Sequence, residues 1–200
     1  GWFGMTDVPA VILAGGRATR MGGGDKALLP LKSATLLDHV LLRLRPQVGD
    51  IAINANGDPA RFEAFGLPVL PDSVTDHPGP LAGVLAGLDW AAGLGAEAVI
   101  TVAADTPFFP SDLTERLATL DQPLVLAATR DDSGRLWRHP TFGLWPVALR
   151  DDLRSALNDG VRKVVQWTDR HDGRFAEFPD EAAFFNVNTP EDLARAEAMT

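Results

Sequence analysis

The feature that most restricts this chain is an alternation. Short, β-branched-rich apolar runs ending in glycine, asparagine or aspartate take turns with stretches whose apolar residues recur every three or four positions. Val8–Ala14 (VPAVILA) reads as a buried strand that stops at glycines. Leu36, Leu37, Val40, Leu41 and Leu44 then follow helical spacing, and Pro46 ends that helix. Ile51–Ala55 and the very short Val69–Leu70 read as strands; Leu81, Val84, Leu85, Leu88 and Ala92 mark a helix closed by Gly93 and Gly95. Ala98–Ala104 is the next strand, Ser111 is read as the N-cap of a helix through Leu117 and Leu120, and Leu124–Ala128 is another strand. A hairpin turn at Asp131–Gly134 leads to a returning strand at Thr141–Trp145. Helices are expected over Val147–Leu157 and Val161–Trp167, a short strand at Phe184–Val187, and a last helix with Thr189 as N-cap and Pro190 at its first position. Such alternation predicts an α/β fold: a mostly parallel sheet covered by helices on both faces. Ligands of such sheets bind outside the carboxyl ends of the strands, so the residues just after each strand carry the information.

Composition narrows the function. The 200 residues amount to about one domain. Gly1-Trp2-Phe3-Gly4, before Met5, do not read as a natural start, so residues 5–200 are expected to form a single domain. The absence of cysteine excludes a disulfide framework, a thiol nucleophile and a cysteine-ligated zinc, and fits a cytoplasmic protein. No apolar run reaches the ~18 residues of a membrane span. A net charge of −9 argues against non-specific binding of nucleic acid. An anionic ligand then needs a local concentration of positive groups.

That concentration lies after the first strand. LAGGRATRMGGGDKALLPL holds glycines 15, 16, 22, 23 and 24 and the cations Arg17, Arg20 and Lys26. Glycines let backbone N–H groups approach a phosphate, and cations neutralise it. The loop fits neither the Walker A spacing nor the dinucleotide fingerprint. Glycines alone also allow a plain structural turn; three cations in an acidic chain favour phosphate. Gly79 and Gly83 keep a helix N-terminus clear for an anion or a flat ring, although close packing of helix on sheet explains them equally well. Asp105, before Thr106-Pro107, ends the most apolar strand and suits Mg²⁺, which takes a few oxygen ligands; a capping or turn role is its alternative, and more so for Asp72. Asn54 and Asn56 offer donors and acceptors to a base or ribose, or serve a turn. Asn186 and Asn188 share one face of an extended segment. His139 in Arg138-His139-Pro140 reads as structural, Trp137 and Trp145 beside it as possible walls for a planar ligand, and Arg162-Lys163 as a second anion site or a solvated face.

The opening loop resembles the signature L-A-G-G-x-x-x-R-M-G-G-x-D-K of the molybdenum cofactor guanylyltransferases (MobA). The resemblance continues in order through Asn54-Ala55-Asn56, PDS at 71–73, HPGPLAG at 77–83, DTP at 105–107, HPT at 139–141 and FNVNTPEDL at 185–193. It implies a Rossmann-like nucleotidyltransferase fold and transfer of GMP from GTP to the phosphate of the molybdenum-pterin cofactor, with release of pyrophosphate. It implies a GTP site at Leu13, Ala14, Gly15, Lys26, Asn54, Asp72 and Asp105, with Asp105 also holding Mg²⁺. The pterin side would include Gly79, Gly83, Arg162, Asn186 and Asn188. Lys26, Arg20 and Asp105 would carry the reaction, Arg20 reaching phosphate of either substrate. Cofactor-donor proteins and acceptor molybdoenzymes are the implied protein partners. This chain departs from the pattern at GVRK (160–163), where two adjacent arginines are expected; lysine lacks arginine's bidentate fork.

The nucleophile implied is a phosphate monoester, largely dianionic at pH 7 because its second pKa is about 6, so no general base is required. The chemical problem is repulsion between two anions. A cytidylyltransferase on the same cofactor is the nearest alternative; such relatives read L-A-A-G where this chain has Leu13-Ala14-Gly15-Gly16, and Gly15 leaves the room a purine needs. A sugar-1-phosphate nucleotidyltransferase is a weaker alternative, disfavoured by the NVNTPEDL ending, and a non-catalytic cofactor carrier is another, disfavoured by Asp105 and Lys26.

Overall fold

The computed structural model describes residues 7–15, 24–76 and 79–200. Arg17, Arg20 and most of the glycine-rich loop lie outside the described residues, as do His77 and Pro78. In chain order the elements are β1 (Ala10–Leu13), β2 (Pro30–Leu31), β3 (Ala34–Thr35), α1 (Leu36–Leu44), β4 (Ile51–Asn54), β5 (Val69–Leu70), α2 (Leu81–Gly93) and β6 (Ala98–Ala103). They continue with α3 (Leu113–Thr119), β7 (Val125–Arg130), β8 (Leu136–Pro146), α4 (Arg150–Asn158), α5 (Val164–Arg170), β9 (Arg174–Phe178) and α6 (Pro190–Met199).

The expected mostly parallel sheet is present, with seven strands in the order β5-β4-β1-β6-β8-β7-β9. β1 pairs in parallel with both β4 and β6, β4 with β5, and β7 with β9. Only β8 runs the other way, antiparallel to β6 and β7. The period-2 pattern of β1 sorts the two faces. Ala10 and Ile12 pack with Leu37, Val40 and Leu44 of α1 and Leu113 and Leu117 of α3. Val11 and Leu13 face the opposite layer, with Leu85 and Leu88 of α2, Leu153 and Leu157 of α4 and Trp167 of α5. Each fully buried valine, leucine or isoleucine among them contributes roughly 1.5–3 kcal/mol. α2 is buried almost all round, and a Cβ at Gly87 would stand 3.0 Å from Val11 Cγ2, so a glycine is what lets this helix sit close on β1.

Several boundaries differ from the sequence reading. Helix α3 starts at Leu113 after Asp112, not at Ser111, and neither side chain caps it; the Leu113 N–H instead donates to the Pro110 carbonyl. Val147–Leu149 is a 3-10 turn before α4, and α5 begins at Val164. Phe184–Val187 is not a strand: Glu181–Phe184 is a 3-10 turn, and the segment after it makes no ladder. β9 and the two-residue β2–β3 hairpin have no counterpart in the expectation. Thr189 does cap α6, in a reciprocal box with Asp192: the Asp192 N–H donates to Thr189 Oγ1 at 3.1 Å, and Thr189 N–H to Asp192 Oδ2 at 3.2 Å. Among the described residues no helix is long and apolar enough to cross a membrane.

Candidate active site

β1 is the switch point: the chain steps outward to β4 and β5, then α2 carries it back across to β6. A cavity of about 600 Å³ opens at the carboxyl ends of these strands, within the usual ~300–1,000 Å³ of small-molecule sites. Leu13, Ala14 and Gly15 after β1, Asn54 and Asn56 after β4, Asp72 after β5, Gly79, Pro80 and Gly83 around the start of α2, and Ala104 and Asp105 after β6 all line it. Lys26, Ala27, Ala103, Pro140, Thr141 and Asn186 complete the lining. The structure thus brings together eleven of the residues the sequence nominated.

One wall is built on asparagines. Asn54 is buried and donates from Nδ2 to the Leu70 carbonyl and to Asp72 Oδ1, both at 3.0 Å. Asn56 donates to Asp72 Oδ2 at 3.0 Å and accepts the Asp72 N–H on its own Oδ1 at 2.8 Å. Both carboxylate oxygens of Asp72 therefore already have donors. Gly83 serves both readings that the sequence left open: it lines the cavity, and a Cβ there would overlap Asn54 Oδ1 and stand 3.0 Å from Leu13 Cδ2. The first turn of α2 faces the cavity, with no acidic residue in it and, among the described residues, no side-chain cap. Its N–H groups and positive dipole end suit an anion.

The other wall is charged. Lys26 Nζ donates to Asn188 Oδ1 at 2.7 Å and stands 3.5 Å from Asp105 Oδ2. Thr106, fully buried, has its hydroxyl 2.9 Å from Asp105 Oδ1 and 2.8 Å from Asn186 Oδ1. One proton cannot serve two acceptors; turning the Asn186 amide over lets it donate to Oγ1 while Oγ1 donates to Asp105. The Val187 N–H donates to the Asp105 carbonyl at 2.9 Å, and the Val187 side chain is buried with Leu31, Leu36 and Ala196. Asn186 and Asn188 consequently point together at the Asp105 wall, as their spacing predicts. Among the described residues no three acidic or histidine side chains cluster as a ready cation cage. The donor set is one carboxylate at an open cavity, which fits Mg²⁺, a cation that takes one or two carboxylates and completes its shell with phosphate oxygens and water.

Some nominated residues stand elsewhere. The Arg162 guanidinium donates to the Leu157 and Val161 carbonyls at 3.0 and 2.8 Å, closing the end of α4; only its backbone approaches the site, its carbonyl lying 3.5 Å from where a Gly79 Cβ would be. Trp145 is a core residue, stacked on Trp167 and donating to Thr101 Oγ1 at 2.8 Å. Trp137 lies outside the cavity and donates to Asp131 Oδ2 at 2.9 Å. With the Ser133 and Trp137 donors, the Asp131 carboxyl is held down at about 2. His139 is structural: it stacks on Phe184 at 4.1 Å and its Nε2 is 2.8 Å from Thr129 Oγ1. Burial lowers its pKa to about 4. Between Leu126 and Ala127 the β7–β8 pairing jumps from Gly143 to His139, and this bulge presents Pro140 and Thr141 to the cavity. Thr106, Thr141 and Arg61 are not among the residues nominated from the sequence. Thr106 had a signal, as neighbour of Asp105 in DTP; the other two are placed by long-range pairing.

Residues 10–173 match the MobA-like NTP transferase domain family. The chain is 50% identical over 199 residues to a molybdenum cofactor guanylyltransferase of Mesorhizobium japonicum, covering 95% of this chain and 94% of that one. It is 52% identical over 190 residues to one of Cereibacter sphaeroides, covering 94% and 95%. Among solved structures it resembles molybdopterin-guanine dinucleotide biosynthesis protein A from Archaeoglobus fulgidus, with a TM-score of 0.70 at 23% identity over 96% of this chain and 98% of that one. A 4-diphosphocytidyl-2C-methyl-D-erythritol synthase from Anaerococcus prevotii shares the fold as closely, with a TM-score of 0.72 at 17% identity over 97% and 96%; the fold therefore does not choose the base. Identity over nearly the full length does what fold cannot, and the chain belongs to the MobA-like NTP transferase family.

Proposed function

We propose that this nucleotidyltransferase is a molybdenum cofactor guanylyltransferase, moving GMP from GTP to the phosphate of the molybdenum-pterin cofactor. The observation that carries the reading is the division of one cavity into an amide-and-carboxylate wall and a lysine-and-aspartate wall, with a helix N-terminus between them. Full-length relatives named as guanylyltransferases support guanine over cytosine. So does Gly15, where an added Cβ would meet nothing within 4 Å and would only take up cavity space.

In this reading Leu13, Ala14, Gly15, Asn54 and Asp72 hold the nucleoside, and Lys26 and Asp105 hold its phosphates. Gly79, Gly83, Asn186 and Asn188 border the pterin side. A phosphate oxygen of the pterin attacks the α-phosphorus of GTP; the bond to the β-phosphate breaks, and pyrophosphate leaves with that electron pair. The nucleophile is already ionised at pH 7, so the protein's task is positioning and relief of charge repulsion. The Lys26 ammonium, the first-turn N–H groups of α2 and Arg20 act on the phosphates. Mg²⁺ bound at Asp105 would neutralise phosphate charge and improve the leaving group. The reaction takes place in the cytoplasm, with pterin received from a donor protein and product passed to acceptor molybdoenzymes.

The test is transfer by purified protein with Mg²⁺, molybdenum-loaded pterin cofactor and α-labelled GTP or CTP. Label passing from GTP into a dinucleotide is expected. Label passing only from CTP overturns the base assignment, and GTP binding without transfer favours a carrier.

A further inference from the structure

The two walls have separate hydrogen-bond networks, and one arginine outside the cavity reaches across their junction. Arg61 lies in the 3-10 segment Pro59–Phe65 that follows β4, and it does not line the cavity. Its Nε donates to Asp25 Oδ2 at 2.7 Å, its Nη2 to the Asn56 carbonyl at 2.6 Å, and its Nη1 to the Asp58 carbonyl. The guanidinium also stands 4.6 Å above the ring centroid of Phe62, itself buried. Each acceptor matters for where it leads. Asp25 precedes Lys26, whose ammonium meets Asn188 and Asp105. Asn56 brackets Asp72 through two hydrogen bonds. One planar cation thus ties the loop after β1 to the loop after β4 and, through Asn56, to the loop after β5. The Asp25 and Arg61 side chains are only 14% and 25% exposed, so solvent screens this pair less than an ordinary surface ion pair.

We propose that Arg61 is a positioning residue for the nucleotide: it sets the spacing between the Asn54–Asn56–Asp72 wall and Lys26, and so the distance between the nucleoside and phosphate subsites. The fork geometry is what qualifies it. Lysine has the charge but cannot present donors in one plane to a carboxylate and two carbonyls at once. A ligand that spans both walls senses an error in their spacing at both ends, whereas a ligand seated on one wall does not. The inference rests on the guanylyltransferase reading above.

The experiment compares wild type with Arg61→Gln in steady-state transfer, varying GTP and pterin cofactor separately, with Tm measured alongside. Arg61→Gln is expected to raise the KM for GTP about tenfold or more while changing kcat and the KM for the pterin cofactor much less. Asp25→Asn is expected to raise the GTP KM in the same direction, and the double variant to be no worse than the poorer single one, because the two residues act as one unit. Arg61→Lys, which keeps the charge, should stay defective, and it serves as the test if Arg61→Gln does not fold. If wild type is not saturated by GTP, the reading beneath the inference falls and takes the inference with it. If wild type is saturated by GTP but the Arg61 variants keep its GTP KM, or lose kcat and both KM values together in step with Tm, the inference alone is overturned.

Discussion

The asparagine wall and the lysine wall of the cavity are built at opposite ranges along the chain. Asn54, Asn56 and Asp72 are joined by hydrogen bonds between residues 16 or 18 positions apart. Lys26, Asp105, Thr106, Asn186 and Asn188 are joined across 79, 80 and 162 positions. The first wall is complete once β4 and β5 pair, before α2 begins. The second waits for the segment at 185–188 to return from the far side of the sheet and dock through Val187. Local construction suits the wall that must hold a fixed pattern of donors and acceptors. Long-range construction places an ammonium, a carboxylate and two side-chain amides from three distant loops around one point, a mixture that no single loop of this chain supplies.

The largest expected effect falls on the lysine wall. Asp105→Asn removes what is, among the described residues, the only carboxylate on that side of the cavity lining, and transfer should fall by about 10²–10³-fold, the usual loss when one charge-stabilising group is removed. The fold should survive, because the side chain is partly exposed and its contact with Lys26 is long at 3.5 Å. Turnover above a tenth of normal would move the phosphate centre elsewhere. Gly83→Ala strikes the other wall. Its Cβ would overlap Asn54 Oδ1, and Asn54 cannot retreat without loosening its bonds to Leu70 and Asp72. Helix propensity favours alanine by roughly 1 kcal/mol, but overpacking costs about 1–3 kcal/mol, so overpacking prevails. The GTP KM should rise about tenfold with a small fall in Tm; an unchanged KM would mean that Asn54 does not touch the nucleotide. Asn188→Ala is milder. It takes away the 2.7 Å partner of Lys26 but leaves the ammonium, so kcat should fall several-fold, on the order of the ~1–1.5 kcal/mol of one hydrogen bond, with GTP affinity nearly kept. Equal damage to both parameters would show that the two walls are not functionally separate.

This contrast also explains what the sequence disclosed. The parallel half of the sheet is legible because β1, β4 and β6 are short apolar runs buried on both faces, and each gives way at the crevice to glycine, asparagine or aspartate: Gly15, Asn54 and Asp105. β9 was not, because Arg174-Phe175-Ala176-Glu177-Phe178 is an edge strand that buries only Ala176 and Phe178 and carries charge on its open side. Phe184–Val187 looked like a strand for its apolar residues. Phe184 and Val187 are buried by stacking and by α6, and the backbone tie from Val187 to Asp105 positions two asparagines rather than extending a ladder. Asn186 and Asn188 were placed correctly because period-2 alternation survives in any extended segment. The bonds of Arg162 to the Leu157 and Val161 carbonyls are not legible in GVRK, because nothing there says that helix α4 ends with carbonyls in need of a donor. Arg61 was invisible for a related reason: an arginine in a polar loop shows its acceptors only when three loops are assembled around it.

The smallest expected effect tests whether the long-range wall is the acid-sensitive one. His139 is neutral in the fold, its pKa lowered to about 4 by burial against an ordinary value of 6.5. Its ring stacks on Phe184, immediately upstream of the segment that carries Asn186 and Asn188. As pH falls through 6.5 the unfolded chain takes up a proton that the folded chain refuses, so stability drops, and the drop continues until the folded imidazole also protonates near pH 4. The ring is partly open to solvent, which reduces the effect, and a loss of Tm of a few degrees across that window is expected, at roughly 2–4 °C per kcal/mol for a chain of this size. His139→Gln keeps a partner for Thr129 and removes the titration, so its Tm should fall less than wild type between pH 6.5 and 4, with the two curves parallel above pH 7. In the same window wild type should lose transfer activity more steeply than His139→Gln, which shares the protonation of the pterin phosphate at about pH 6, while GTP binding falls alike in both, because Phe184 supports the lysine wall and not the asparagine wall. Parallel Tm curves throughout would show that burying the neutral ring does not couple folding to pH, and a steeper loss of GTP binding in wild type as well would show that the two walls come apart together.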